Sequence, residues 1–239
     1  MTTMRKIKPY CTDPNWDGRV DCKHCAIRNT VLFSVLSEAE LEQALLEIDN
    51  QGYEPGQAIF SQETRGKHVY TVRSGSVKIV HELKNGGTNR IVRMHYRGDA
   101  IGLEALLDEP YRHSAVVLQK ADICRIPVSV IHALRSHNED LYQQLLMRWQ
   151  SSLDEAESFI TDLNTGHAET RLARLLLKLD AHSDHRFIPD LLREDIAAII
   201  GVTTETASRL MADFHRRNLV SDVENRVMRC DVNALKSMV

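Results

Sequence analysis

The stretch from Asp190 to Val220 constrains the fold more than any other part of this 239-residue chain. Two short helical patterns flank one glycine there. Ile196, Ile199 and Ile200 fall at helical spacing and stop at Gly201, where glycine suits a left-handed residue closing a helix. Thr203 or Thr204 then caps a second helix that continues through Ala207, Leu210, Met211 and Phe214. Two helices joined by a tight Gly-containing turn predict a helix-turn-helix. The plainer alternative is a surface helix hairpin with solvated charges. In a helix-turn-helix the second helix lies in the major groove of double-stranded DNA, its N-terminal residues against the bases. Thr204, Glu205, Ser208 and Arg209 share the face opposite the apolar stripe. Arg can donate two hydrogen bonds to guanine, Glu can accept from cytosine, and Ser can serve either base. Arg216 and Arg217 follow, placed to reach phosphates.

Residues 138–164 carry the strictest periodicity. Tyr142, Leu146, Trp149, Leu153, Ala156, Ile160 and Leu163 recur in a 4,3,4,3,4,3 rhythm, which is the seam of a coiled coil. One alternative is a helix buried on its own domain. A parallel homodimer seam explains more, because helix-turn-helix proteins read palindromes as symmetric dimers with recognition helices about 34 Å apart.

Between about Tyr53 and Pro127 the texture changes to short alternating runs such as Val77-Lys-Ile-Val80, punctuated by glycines. Many short strands with regular turns predict a β-sandwich or roll. Ahead of it, Ser37-Glu-Ala-Glu40 matches a capping box that opens a helix. Residues 1–30 show little periodicity and hold Cys11, Cys22 and Cys25. Cys22-Lys-His-Cys25 is a Cys-x-x-Cys pair, a spacing shared by zinc sites, iron–sulfur sites and redox disulfides. Cys124 lies in an apolar strand-like run and Cys230 in the final one; alone, each reads as core packing.

Apolar content of 43% supports real cores. No apolar run approaches the roughly 18 residues of a membrane span, and the N-terminus lacks a signal-peptide apolar region, so a soluble cytoplasmic protein with no membrane partner is expected. The net charge of −3 argues against nonspecific nucleic-acid binding, which needs a basic field, but leaves room for locally clustered arginines. The sequence shows no P-loop, nucleophile elbow or paired catalytic carboxylates, so an enzyme is not expected.

These residues resemble the CRP/FNR family of bacterial transcription regulators. Glu205-Thr-Ala-Ser208-Arg209 matches the FNR-type pattern Glu-x-x-Ser-Arg, which implies a palindrome with TTGAT-like half-sites. Arg73-Ser-Gly-Ser-Val-Lys-Ile79 and Gly98-Asp-Ala-Ile-Gly102 resemble the family's cyclic-nucleotide-binding-type β-roll. The fold class implied is α+β: a cysteine-bearing arm over 1–30, a β-roll sensor domain over 31–137, a dimerisation helix over 138–164, and a winged helix-turn-helix over 165–239. The loop Ile101–Ala115 has the length of the family's phosphate-binding cassette, but Leu103 stands at its acidic position and His113 at its Arg position. Cyclic nucleotide is therefore not the expected ligand.

Oxygen-sensing members place a cluster-ligating Cys as Cys124 stands in Cys124-Arg-Ile-Pro127, and carry an N-terminal Cys-x-x-Cys. The enteric pattern has a further Cys where this chain has Val31, and Cys11 is the substitute. The resemblance thus implies a [4Fe–4S] cluster on Cys11, Cys22, Cys25 and Cys124, with zinc on the same thiolates, joined by His24, or a redox switch between Cys22 and Cys25 as alternatives. A regulator sensing a small molecule, haem or thiol redox state without a cluster is the competing function. FNR proteins often carry an acid in the dimer seam where Ala156 stands here. RNA polymerase is an expected partner on the same resemblance.

Overall fold

The computed structural model describes residues 32–37, 40, 47–83, 89–135, 138–183, 187–223 and 227–239. The architecture is α+β, as expected. The chain divides into two compact units, Met1–Ile79 with Met94–Ser152, and Val80–Arg93 with Leu153–Val239.

The first unit holds β1 (Asp49–Tyr53), β2 (Ala58–Phe60), most of β3 (His68–His81), the end of β4 (Arg90–His95), β5 (Ala100–Ile101) and β6 (Ser114–Pro127), while the end of β3 and the start of β4 fall in the second. They form one sheet in the order β1-β6-β3-β4, with β2 also on β6 and β5 also on β3. Gly75 permits the close passage of two strands: a Cβ there would sit 2.1 Å from the Lys120 carbonyl oxygen, and its φ of 78° is left-handed. Helix α1 (Val128–Arg135) follows β6 directly, and α2 (Glu139–Leu163) comes next. Val69, Leu103, Ile126, Ile131, Leu141 and Leu145 belong to one buried cluster, so the first turns of α2 are part of this unit's core. The capping box is present: Glu40 accepts from the Ser37 amide at 2.9 Å and from its hydroxyl at 2.6 Å. The helix it opens lies mostly outside the described residues.

Helix α2 matches the seam expected over 138–164 and carries two apolar rows. Leu141, Leu145, Phe159 and Leu163 are buried in the chain itself. Tyr142, Leu146, Trp149, Leu153 and Ile160 are between 43% and 63% exposed, and Ala156 is partly buried between them. Leu163, expected at the end of the outer row, is fully buried instead. A straight helix drifts about 20° per heptad against a strict seven-residue repeat, so after three heptads the row has turned about 60° towards the inner face.

The second unit holds α3 (Ala168–Ala181), β7 (Phe187–Pro189), α4 (Arg193–Ile200), α5 (Thr204–Arg216), β8 (Val220–Val223), β9 (Val227–Cys230) and α6 (Val232–Lys236). Its core is Leu172, Leu175, Leu176, Ile196, Ile199, Ala207, Met211, Phe214 and Met228. The strands pair in the order β7-β9-β8, with Val220 opposite Cys230 and Val223 opposite Val227; this is the wing.

The division between the two compact units falls inside α2, after Ser152. Cations on one side of α3 reach the last turns of α2 and the connection after it. Lys178 reaches Glu155 at 3.0 Å and the Ser158 hydroxyl at 3.1 Å. Arg174 donates to the carbonyls of Asp162 and Thr165, and Arg171 to that of Gly166. The last turns of α2 are thereby pinned to α3.

Candidate nucleic-acid interface and sulfur site

The helix-turn-helix forms because each local signal agrees with its neighbours. Gly201 closes α4 in the left-handed region (φ 66°, ψ 47°), its amide donating to the Ala197 carbonyl. Thr203 is the cap of α5, its hydroxyl accepting from the Thr206 amide at 3.2 Å. The Ala207, Met211 and Phe214 row is buried, which turns the opposite face outward.

That face presents Thr204, Glu205, Ser208 and Arg209, all exposed. The Arg209 and Glu205 side chains pair one turn apart while about three-quarters exposed (73% and 74%). Ser208 donates to the Thr204 carbonyl at 2.9 Å. A guanidinium held by a carboxylate on its own helix is pre-oriented as a planar donor fork, the geometry that matches a guanine edge.

The two following arginines differ. Arg216 is 75% exposed and touches Asp213 at 2.7 Å. Arg217, also expected at a phosphate, is engaged inside the chain. It pairs with Glu169 on α3 and with Asp213 at 3.2 Å, lies 5.9 Å over the Phe214 ring, and approaches the Met238 sulfur at 3.8 Å. That geometry makes it a clamp between α3 and α5. His215 faces Asp222 on β8 at 3.7 Å, tying the recognition helix to the wing. Sequence reasoning missed the clamp and the α3 cations; Arg171, Arg174 and Lys178 share one helical face beside the leucines, a signal that was legible.

Of the four expected sulfur ligands, Cys124 is the one in the described residues; Cys11, Cys22 and Cys25 lie outside them. Cys124 is a buried thiol outside any disulfide on β6, opposite Asn50 of β1. On the same strand face, Asp122 accepts from the Asn50 amide nitrogen at 2.6 Å and lies 3.5 Å from the Arg73 guanidinium. Burial raises the Asp122 carboxyl pKa, against the opposing pull of Arg73 and Asn50. Among the described residues no three His, Cys, Asp or Glu side chains stand together as a metal site.

The cassette-like loop is engaged with its own chain. Leu103 belongs to the buried core. Ser114 accepts from the Gln62 amide at 2.8 Å, Glu104 accepts from the Arg112 amide at 3.3 Å, and Tyr111 donates to the His68 carbonyl at 2.8 Å while stacking on Phe60 at 4.0 Å. An apolar Leu103 offers nothing to a ribose hydroxyl. Among the described residues no helix is long and apolar enough to cross a membrane.

Comparison with known proteins agrees with this geometry. The Cyclic nucleotide-binding domain family matches residues 50–138, and the Crp-like helix-turn-helix domain family matches residues 170–238. The chain is 28% identical over 213 residues to the Fumarate and nitrate reduction regulatory protein of Yersinia pestis, covering 84% of this chain and 83% of that protein. It is 27% identical over 227 residues to the Anaerobic regulatory protein of Haemophilus influenzae, covering 90% and 86%. Among solved structures, FixK2 from Bradyrhizobium japonicum superposes with a TM-score of 0.71 at 22% identity, covering 80% of this chain and 96% of that one.

Proposed function

The chain belongs to the CRP/FNR family of transcription regulators, and we propose that it is a homodimer that reads a TTGAT-like palindrome under control of an oxygen- or nitric-oxide-sensitive iron–sulfur site. It is an FNR-like regulator with a helix-turn-helix DNA-binding domain. The relatives it matches are named regulatory proteins, not enzymes.

The observation that carries the dimer is the outer row of α2. Tyr142, Leu146, Trp149, Leu153 and Ile160 expose large apolar side chains at coiled-coil spacing. A second α2 packed in parallel would cover them and set two α5 helices for successive major grooves. Thr204, Glu205, Ser208 and Arg209 would then meet base edges, with Arg216 at a phosphate.

A [4Fe–4S] cluster would be held by Cys11, Cys22, Cys25 and Cys124 and would supply thiolate bonds that oxygen or nitric oxide breaks. This chain's own residues carry the consequence. Cys124 anchors the N-terminal arm to β6 when all four sulfurs share one site. Strand β6 runs straight into α1, and Ile126 and Ile131 share a core with Leu141 and Leu145 of α2. The other end of α2 is pinned to the DNA-binding unit by Lys178, Arg174 and Arg171. Anchoring at Cys124 thus biases how two α2 helices pack, and through them the separation of the α5 pair. A complete switch requires a bias of about 5.5 kcal/mol. RNA polymerase is the proposed partner at the promoter.

The test is replacement of Cys22, Cys25 and Cys124 by Ser, one at a time, with DNA binding measured without oxygen. Each replacement is expected to abolish cluster-dependent binding, and the unaltered protein to hold about four iron and four sulfide per chain. Normal regulation in all three variants would instead indicate a sensor of a small molecule or haem.

A further inference from the structure

Arg90 opens β4 and lies in the same compact unit as the helix-turn-helix. Its Nη2 donates to the Asn164 side-chain oxygen at 3.4 Å. Asn164 follows the last residue of α2, and its side-chain nitrogen donates back to the Phe159 carbonyl at 3.2 Å. The same guanidinium lies over Gly201. A Cβ built there would stand 3.3 Å from Nη2, 3.6 Å from Nη1 and 3.6 Å from the Asn164 oxygen. The missing side chain of Gly201 therefore opens the notch that the guanidinium occupies.

Two helices end at this point. Helix α2 stops at Leu163 and α4 stops at Ile200. Each C-terminus is the negative end of a helix dipole, which a cation stabilises. A planar guanidinium with several donors can serve both ends at once. Strand β4 continues from Arg90 to His95, inside the sheet of the sensor domain.

We infer that Arg90 is a positioning residue for the recognition helix: it clasps the ends of α2 and α4, and so ties the β3–β4 hairpin to the turn that aims α5. Movement of β4 is passed to Gly201, and Gly201 sets where Thr203 starts α5. The inference rests on the helix-turn-helix and on the dimer, not on the iron–sulfur site.

The test uses full-length protein with Arg90→Ala and Arg90→Lys. Hydrogen exchange is followed in residues 164–166 and 201–203. Binding is measured to a duplex with two half-sites and to one with a single half-site. Arg90→Ala is expected to speed exchange in both segments together by about two- to fivefold, the size of a helix-end charge effect. It should weaken two-half-site binding and leave single-half-site binding unchanged, because α5 is intact but no longer aimed. Arg90→Lys should restore much of the slow exchange. Unchanged exchange in either segment overturns the clasp, as does equal loss on both duplexes. A wild-type protein with no two-half-site preference would count against the dimer instead, while the exchange result still decides the clasp.

Discussion

Arg209 and Arg217 sit at opposite ends of α5 and do different work. Arg209 is oriented by Glu205 and points outward; Arg209→Ala is expected to cost about 1–3 kcal/mol of specific binding and to relax preference at one base position. Operator selection with a randomised half-site checks this, and an unchanged preference removes Arg209 from base readout. Arg217 is held by Glu169 and Asp213, so Arg217→Ala should lower Tm and leave the preferred sequence alone. Arg216→Ala should weaken all sequences alike and reduce the salt slope by about 1. Cys230 is a separate case. Burial, with the Asp180 charge adding, pushes its thiol up to about 12. Its contribution to stability is whole below the ordinary thiol value of 9.0 and falls away as pH rises from there towards about 12. Alkylation at pH 8 should therefore spare Cys230 in the native protein and modify it in urea; mass spectrometry of the tryptic peptide decides.

At the scale of elements, α2 is the part on which most depends. Leu153→Glu places a charge in each chain of the outer row and should split the dimer, because burying unpaired carboxylates costs several kcal/mol. The wild-type seam has Ala156 where an acid would repel its twin, and Glu155 is drawn away to Lys178. Metal-free protein is thus expected to remain dimeric; sedimentation as a monomer at micromolar concentration contradicts this. Leu163→Ala should cost about 2–5 kcal/mol of stability in the DNA-binding unit, as for any fully buried leucine, without changing the dimer. The helix, its length and its outer row were legible because a 4,3 rhythm fits an α-helix and not a strand, whose side chains alternate. Leu163 was misplaced because the rhythm continues in sequence while the helix face turns. The clamp of Arg217 on Glu169 was not legible, since nothing local relates residues on two different helices.

At the scale of the molecule, the two halves were readable to different depths. Gly201, Thr203 and the Ala207–Met211–Phe214 row carry the DNA-binding motif in local signals, and the structure has each where the spacing puts it. The β-roll was readable as texture only; strand order depends on pairings such as Asn50 with Cys124, which alternation does not specify. The partners that Lys178 and Arg174 find on α2 were hidden for the same reason. What unites the halves is a two-fold arrangement of α5. Anaerobic titration of purified protein against a TTGAT-like palindrome, and against a duplex of the same length with scrambled half-sites, tests that arrangement most directly. The expected result is binding to the palindrome tighter by about 10³-fold or more, with two chains per duplex; equal affinity for both duplexes, with and without iron, contradicts it.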